Sequence, residues 1–298
     1  MNFKYKCLLQ RFFSNIPKGE TLNYYFQKNV AKSLPPNNDK FLEKVNTGFN
    51  HYKNYKDYNK LTQKNNRYYE FGAGWTLTIP LTMSFLGFKV FCVDIRKLII
   101  PSLINDSLNK FQLNKNELPF KLETEIVISN KNVLNNLIDN YKLNYIAPKD
   151  ARETGFDDNH FDFISSSVTL EHIPKNDILL ILKECYRILN KGGILSMTID
   201  YQDHWSYFDK NISIYNFLKY SSREWKKYNP SLHYQNRLRH SDYLSLISQT
   251  GFKIVKEVQR QQNKIDKETL SKIEIAEEFK SYDFDDLAIR GSEIVLIK

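Results

Sequence analysis

Short strand-like runs alternate with helix-length segments from Arg67 onward, and this alternation restricts the possible folds more than any other feature of the chain. RYYEF at 67–71 reads as a strand and 76–86 as a helix. KVFCV at 89–93 reads as a second strand and 97–111 as a second helix. Residues 112–128 read as an irregular insertion, and 130–141 as a helix with Ser129 as its cap. Strands follow at 143–147 and at FDFIS, 161–165. In 174–190 the residues Ile178, Ile181, Leu182, Cys185, Ile188 and Leu189 share one helical face. Pro174 stands at its start and Gly192–Gly193 at its end. GILSMTI at 193–199 is a fifth strand. A helix capped by Ser241 and ended by Gly251 precedes two last strands, 252–258 and 292–297. Strands that alternate with helices predict an α/β fold: a mostly parallel seven-stranded sheet with helices on both faces.

Residues 1–65 are different in character, being polar and rich in tyrosine. Segments 20–33 and 38–60 read as helices without a strong core face. Tyr52, Tyr55 and Tyr58 recur every third residue, as a packing stripe or a substrate-facing wall. The expected organisation is an N-terminal helical extension or lid over 1–65 and a main domain over 66–298, with a substrate-facing insertion at 200–240. A chain of 298 residues with 41% hydrophobic and 26% charged residues is long enough for a full core, which excludes wholesale disorder and a fibre. Cys7, Cys92 and Cys185 lie far apart with no CxxC, which argues against an oxidised scaffold or a cysteine-based zinc site. The stretch from Trp75 to Val93 has the length of a membrane span. Pro80, Gly87 and Lys89 interrupt it and Asp94 follows, so it reads as a buried helix and strand. Arg11 breaks the apolar run near the start, and no signal peptide is read there. A cytoplasmic protein is expected. The net charge of +9 fits either an anionic partner or a solvated lysine-rich surface.

The chemistry-bearing features sit at the ends of the predicted strands. In EFGAGW, Gly72 and Gly74 permit a tight turn and close approach of a ligand, and the following helix start offers free N–H groups. A dinucleotide fingerprint needs a third glycine where Leu77 stands, which counts against a nicotinamide oxidoreductase or epimerase. Asp94 ends the second strand, where an acid either accepts both hydroxyls of a ribose or caps the next helix. Asp150 and Ala151 follow the third strand. They line an adenine pocket with Arg152, or form a surface turn.

The order EFGAG, VDI, DARETGFDDNHFDFISSSVTLEHI and ECYRILNKGGIL resembles the class I S-adenosylmethionine-dependent methyltransferases, in their broad small-molecule branch. The resemblance covers roughly residues 66–200 and implies a Rossmann-like sheet ending in an antiparallel hairpin. It implies that Glu70, Gly72, Ala73, Gly74 and Trp75 hold the methionine part of the cofactor, and that Asp94 with Ile95 holds the ribose. Asp150, Ala151 and Arg152 would border the adenine, and Ser166 or Ser167, just past the fourth strand, would face the methionine amine. Thr76 replaces a glycine frequent in that family. Trp75 is bulky, so it would roof the cofactor or reach into the substrate cavity. The chain is also similar to bacterial methyltransferases found with glycan-biosynthesis enzymes, which implies a saccharide-type acceptor.

The insertion that begins at Asp200 follows the fifth strand, so its start should reach the transferred methyl. His204 is the expected general base, oriented by Asp203 or replaced by it, with His172 of LEHI as the alternative. Tyr201 and Tyr207 are expected at the acceptor. His233, Arg237 and His240 would share one face if 232–240 is helical, and could clasp a phosphate or carboxylate. No acidic partner stands at ligand spacing to these histidines, so no metal is expected. The expected reaction is in-line O-methylation of a small molecule or saccharide, with S-adenosylmethionine as the cofactor. Nucleic-acid methylation is the rival reading. Its usual Pro-Pro-aromatic turn is replaced here by SSSV at 165–168.

Overall fold

Seven strands form one sheet in the order β3-β2-β1-β4-β5-β7-β6 in the computed structural model, which describes residues 2–16, 19–29, 33–129, 131–260 and 264–298. The strands are β1 (Arg67–Phe71), β2 (Lys89–Val93), β3 (Leu143–Ile146), β4 (Phe161–Ser167), β5 (Leu189–Asp200), β6 (Lys253–Gln259) and β7 (Gly291–Ile297). The first five run parallel, and β7 pairs antiparallel with both β5 and β6. The α/β expectation, including the final hairpin, therefore holds.

The helices are α1 (Phe3–Ser14), α2 (Gly19–Asn29), α3 (Asn38–Tyr58), α4 (Thr78–Phe85), α5 (Pro101–Leu113), α6 (Val133–Tyr141), α7 (Lys175–Ile188), α8 (Ser222–Trp225), α9 (His240–Ser248), α10 (Lys264–Ser271) and α11 (Phe284–Ala288). Side chains alternate across the strands, as the pleat requires. Tyr68, Val90, Phe163 and Ile194 meet α3, α4, α5 and α6 on one face. Tyr69, Ile164, Leu195 and Met197 meet α7 and α9 on the other. Among the described residues, no helix is long and apolar enough to cross a membrane.

Several local expectations need correction. The glycines at 192–193 do not end α7, because the chain passes from Ile188 directly into β5. Gly192 adopts φ +84°, and a Cβ there would lie 2.7 Å from the Lys60 carbonyl oxygen. The pair instead accommodates a bulge, where the β4–β5 register shifts between Phe161 and Phe163. Asn132 rather than Ser129 caps α6, accepting the Asn135 N–H, and Asn130 lies outside the described residues. Ser241 is inside α9, its hydroxyl bonded to Asp286. Residues 30–32 of the expected helix 20–33 also lie outside the described residues.

The N-terminal region divides in two. Helix α1, which no strong pattern announces, buries Phe3 and Cys7 among Trp205, Tyr215, Phe217 and Trp225 of the insertion. Helix α3 does carry a core face, made by Phe41, Val45, Gly48, His51, Asn54 and Tyr55. Its polar members hide it in the sequence, and the sheet satisfies His51 and Asn54. His51 bonds Ser196 at 2.7 Å and Ser167 at 2.9 Å, and burial lowers its pKa to about 4, so the ring is neutral. The Asn54 amide donates to Ser196 and to Glu293. The tyrosine stripe packs: Tyr55 stacks on Phe163 at 5.0 Å, and Tyr52 meets Phe88 edge-on.

If α3 is an integral layer, Tyr55→Ala should cost about 3–5 kcal/mol, the range for truncating a buried aromatic. A single cooperative denaturant transition with its midpoint lowered accordingly is expected; an unchanged midpoint would mark α3 as a detachable lid.

Candidate active site

The carboxyl ends of β1, β2, β3 and β4 open onto one cavity of about 610 Å³. Its floor is the turn after β1. Gly72 adopts φ +75° and its N–H donates to the Val93 carbonyl at 3.1 Å, tying the turn to β2. A Cβ on Gly72 would lie 2.3 Å from Thr169 Cγ2, so only glycine fits. Gly74 adopts φ +71° and has nothing within 4 Å of where a Cβ would stand. The position that would hold a third glycine is Leu77, which takes φ +49° and anchors in the core with no exposure.

Two buried carboxyls stand at neighbouring strand ends. Glu70 accepts the Tyr68 hydroxyl at 2.7 Å; burial pushes its pKa up to about 8, and the nearby Asp94 charge adds to this. Asp94 is 7% exposed, and its Oδ2 has no hydrogen-bond partner. Burial raises its pKa to about 7, against the opposing pull of the Tyr145 hydroxyl and the Gly74 N–H. An unpartnered acceptor of this kind suits the two hydroxyls of a ribose.

Gly72, Trp75, Asp94, Ile95, Asp150, Ala151, Arg152 and His172 all line the cavity, whereas Glu70, Ala73 and Gly74 do not contribute to its described wall. Asp150 is already engaged. Arg152 grips its carboxylate through Nε and an NH2 at 2.6–3.0 Å and reaches Asp177 at 2.7 Å, which holds Asp150 below its ordinary pKa. Trp75 stacks on Tyr24 of α2 at 5.6 Å, so it joins the N-terminal helices to the cavity rim. Ser166 and Ser167 lie within β4 rather than past it. Ser166 Oγ is buried without a partner, and Ser167 is bonded to His51. The residue of that segment on the wall is Thr169, which follows the left-handed Val168 at φ +49°.

The far end of the cavity reaches His172. Its Nδ1 donates to the Tyr234 carbonyl at 2.7 Å; packing around the ring, with His204 facing it, lowers its pKa to about 4. His204 lies behind it, the two rings 4.9 Å apart, and is nearly buried. Of the two histidines, the alternative, His172, is the one on the cavity wall. The acids near His204 are differently engaged. Asp203 spends its carboxylate on the Trp205 N–H at 2.8 Å and the Asn216 amide at 3.0 Å, so it caps a turn. Asp200 faces His204 Nε2 at 3.5 Å and accepts the Tyr207 hydroxyl. Burial would raise the Asp200 pKa, but the neighbouring His204 imidazole and the bond from the Tyr207 hydroxyl outweigh it and hold the group at about 2.

The remaining expected substrate residues separate. Residues 234–239 are extended loop, not helix, so His233, Arg237 and His240 share no face. His233 packs on Trp205 at 4.2 Å, Arg237 pairs with Glu278, and His240 bonds Glu257 at 2.8 Å. Tyr201 is buried against Ser292 and His240. Asn23 and Gln27 of α2, together with Ser231, Leu232 and Tyr234, complete the wall. No sequence signal announces them, because they reach the site only through folding of distant segments.

Residues 70–197 match the family model described as a methyltransferase domain. No curated protein matches the chain. Among solved structures, a protein of Pyrococcus horikoshii OT3 superposes with a TM-score of 0.51 at 13% identity, covering 93% of this chain and 98% of that one. An S-adenosylmethionine-dependent methyltransferase of Clostridium acetobutylicum gives 0.45 at 12% identity, with coverage of 93% and 98%. Another, of Archaeoglobus fulgidus, gives 0.46 at 15% identity, with coverage of 86% and 94%. At 13% identity the likeness to the Pyrococcus horikoshii protein is one of fold.

The raised pKa of Asp94 predicts a pH signature for ligand binding. Between the ordinary carboxylate pKa, about 4, and about 7, the folded ligand-free protein holds a proton that the unfolded chain has lost, so this group lowers stability as pH rises through that window. Ribose hydroxyls favour the ionised form, so binding expels the proton. Affinity for S-adenosylhomocysteine should fall as pH drops below about 7, by up to roughly tenfold per unit. Calorimetry at pH 6 in buffers of different ionisation enthalpy should show proton release, and Asp94→Asn should weaken binding and abolish that release.

Proposed function

We propose that this chain, an S-adenosylmethionine-dependent methyltransferase, methylates a hydroxyl of a small, polar, saccharide-type acceptor held between α2, the 231–234 segment and His172. The observation that carries this reading is the continuity of one cavity from Asp94 to His172, with His204, Asp200 and Glu171 clustered behind that histidine.

The cofactor end fits the residues present. Asp94 offers an unpartnered acceptor, Gly72 brings a turn without a side chain to the wall, and Ile95 and Ala151 give apolar wall. When bound there, S-adenosylmethionine supplies a methyl group already made electrophilic by its sulfonium, so the protein's task is to position and ionise the acceptor. An acceptor oxygen must sit in line with the methyl, about 3–3.5 Å from it, and the cavity walls restrict its approach. Asn23, Gln27, Ser231 and Tyr234 bring amide, hydroxyl and phenol groups to that wall, a lining suited to a polyhydroxylated molecule. The histidine cluster receives the proton from the acceptor hydroxyl. His172 meets the acceptor, and His204 with Asp200 stands behind it.

Labelled methyl donor should therefore yield O-methylated product in a panel of sugars and polyols; transfer confined to amines or to RNA would overturn the reading. His172→Ala should lower kcat by roughly 10²–10⁴-fold, the contribution of a positioned proton acceptor, with S-adenosylhomocysteine affinity within twofold of the parent. His204→Ala should act in the same direction, again without loss of cofactor affinity.

A further inference from the structure

Three groups at the acceptor end converge without satisfying one another. Glu171 lies in the short 3-10 turn Leu170–His172 that follows β4. It is 1% exposed, and neither carboxylate oxygen has a hydrogen-bond partner. One donor atom each from Glu171, His172 and His204 fall within 4.8 Å of one another.

The histidines are prepared as ligands. A carbonyl can only accept, so the 2.7 Å contact from His172 Nδ1 to Tyr234 puts the proton on Nδ1 and leaves the Nε2 lone pair free. Anchoring one ring nitrogen on a carbonyl while the other stays open is the usual support of a metal-bound imidazole. His204 Nε2 is buried and hydrogen-bonds nothing; the nearest acid is Asp200, at 3.5 Å.

A buried carboxylate without a donor is costly, and a nearby cation offsets that cost. The guanidinium of Arg260 does not meet it directly. It donates to the Ile199 carbonyl at 2.9 Å and stands 3.6 Å from Asp200. Two imidazoles and one carboxylate form a donor set for first-row divalent cations such as zinc, manganese or iron. Bonds of about 2.0–2.2 Å would require the three groups to draw together by roughly 1 Å, a side-chain adjustment.

We propose that Glu171, His172 and His204 bind one first-row divalent cation on the acceptor wall of the cavity. This deepens the function proposed above and rests on its placement of the acceptor beside His172. A cation there leaves open coordination positions toward the cavity through His172, the one member of the set on its wall. An acceptor hydroxyl that takes such a position ionises nearer neutrality, releasing its proton to water. With both imidazole lone pairs on the cation, the cation replaces His172 as the group that ionises the acceptor in the metal-bound protein.

The test uses the tag-free full chain, stripped with chelator and titrated with cobalt(II) while visible absorption is followed, then with zinc(II) by calorimetry. One equivalent should bind, giving cobalt d–d bands that zinc abolishes. Glu171→Gln and His204→Ala should each weaken cobalt binding by at least about tenfold, with circular dichroism and S-adenosylhomocysteine affinity unchanged. Should either buried variant fail to fold, His172→Ala, on the cavity wall, gives the same readout. Absence of stoichiometric binding, or binding of unchanged affinity in the folded variants, overturns the cation site. If metal is not bound but S-adenosylhomocysteine is, only this inference fails; loss of S-adenosylhomocysteine binding in the folded parent would instead overturn the methyltransferase reading.

Discussion

Parallel pairing is the constraint from which the rest of the molecule follows. Strands β1 to β5 all run in one direction, and each parallel connection must cross the sheet, which buries both faces under helices. Polar side chains then have few places that are both fixed and reachable, and the carboxyl ends of the strands are the chief ones. Gly72, Asp94, Asp150, Thr169 and Asp200 come from five separate strand ends, yet they share one edge. The cavity is a consequence of that shared direction.

Three acids along this edge show how one chemical group takes different states. Glu70 and Asp94 are pushed upward because burial removes water faster than the chain supplies donors. Asp200 is comparably buried but accepts from Tyr207 and Gln202 and lies 3.5 Å from the His204 imidazole, and it stays ionised. The edge is thus divided. One end keeps a buried acceptor oxygen of Asp94 without a partner. The other concentrates imidazole and carboxylate groups around His172. A division of this kind matches a reaction in which one partner is gripped and the other ionised.

The central strands and α7 were legible in the sequence because their apolar residues follow the period of the element. RYYEF and KVFCV match β1 and β2 residue for residue. The positions of the glycine turn and of Asp94 at neighbouring strand ends were legible for a different reason, since glycine at a positive φ and an acid directly after a strand are local features. Helix α3 was misread because its buried face includes His51 and Asn54. A hydrophobic pattern cannot show that Ser167, Ser196 and Glu293 await them. The sequence also led to the expectation that Asp203 orients His204, whereas its carboxylate bonds the Trp205 N–H and the residue that faces His204 is Asp200, three positions earlier. Helical spacing likewise grouped His233, Arg237 and His240, which an irregular backbone then sent to three different partners.

Local order in the sequence determined the sheet, its helices, the glycine turn and the acid beside it, because each depends on neighbours within a few residues. Tertiary structure alone decided which histidine reaches the cavity, which acid supports the other, and that α2 and residues 231–234 close the walls. Those outcomes depend on contacts between segments tens to hundreds of residues apart. Their geometry is set by packing and by the need to satisfy buried polar atoms, and neither leaves a periodic mark on the chain.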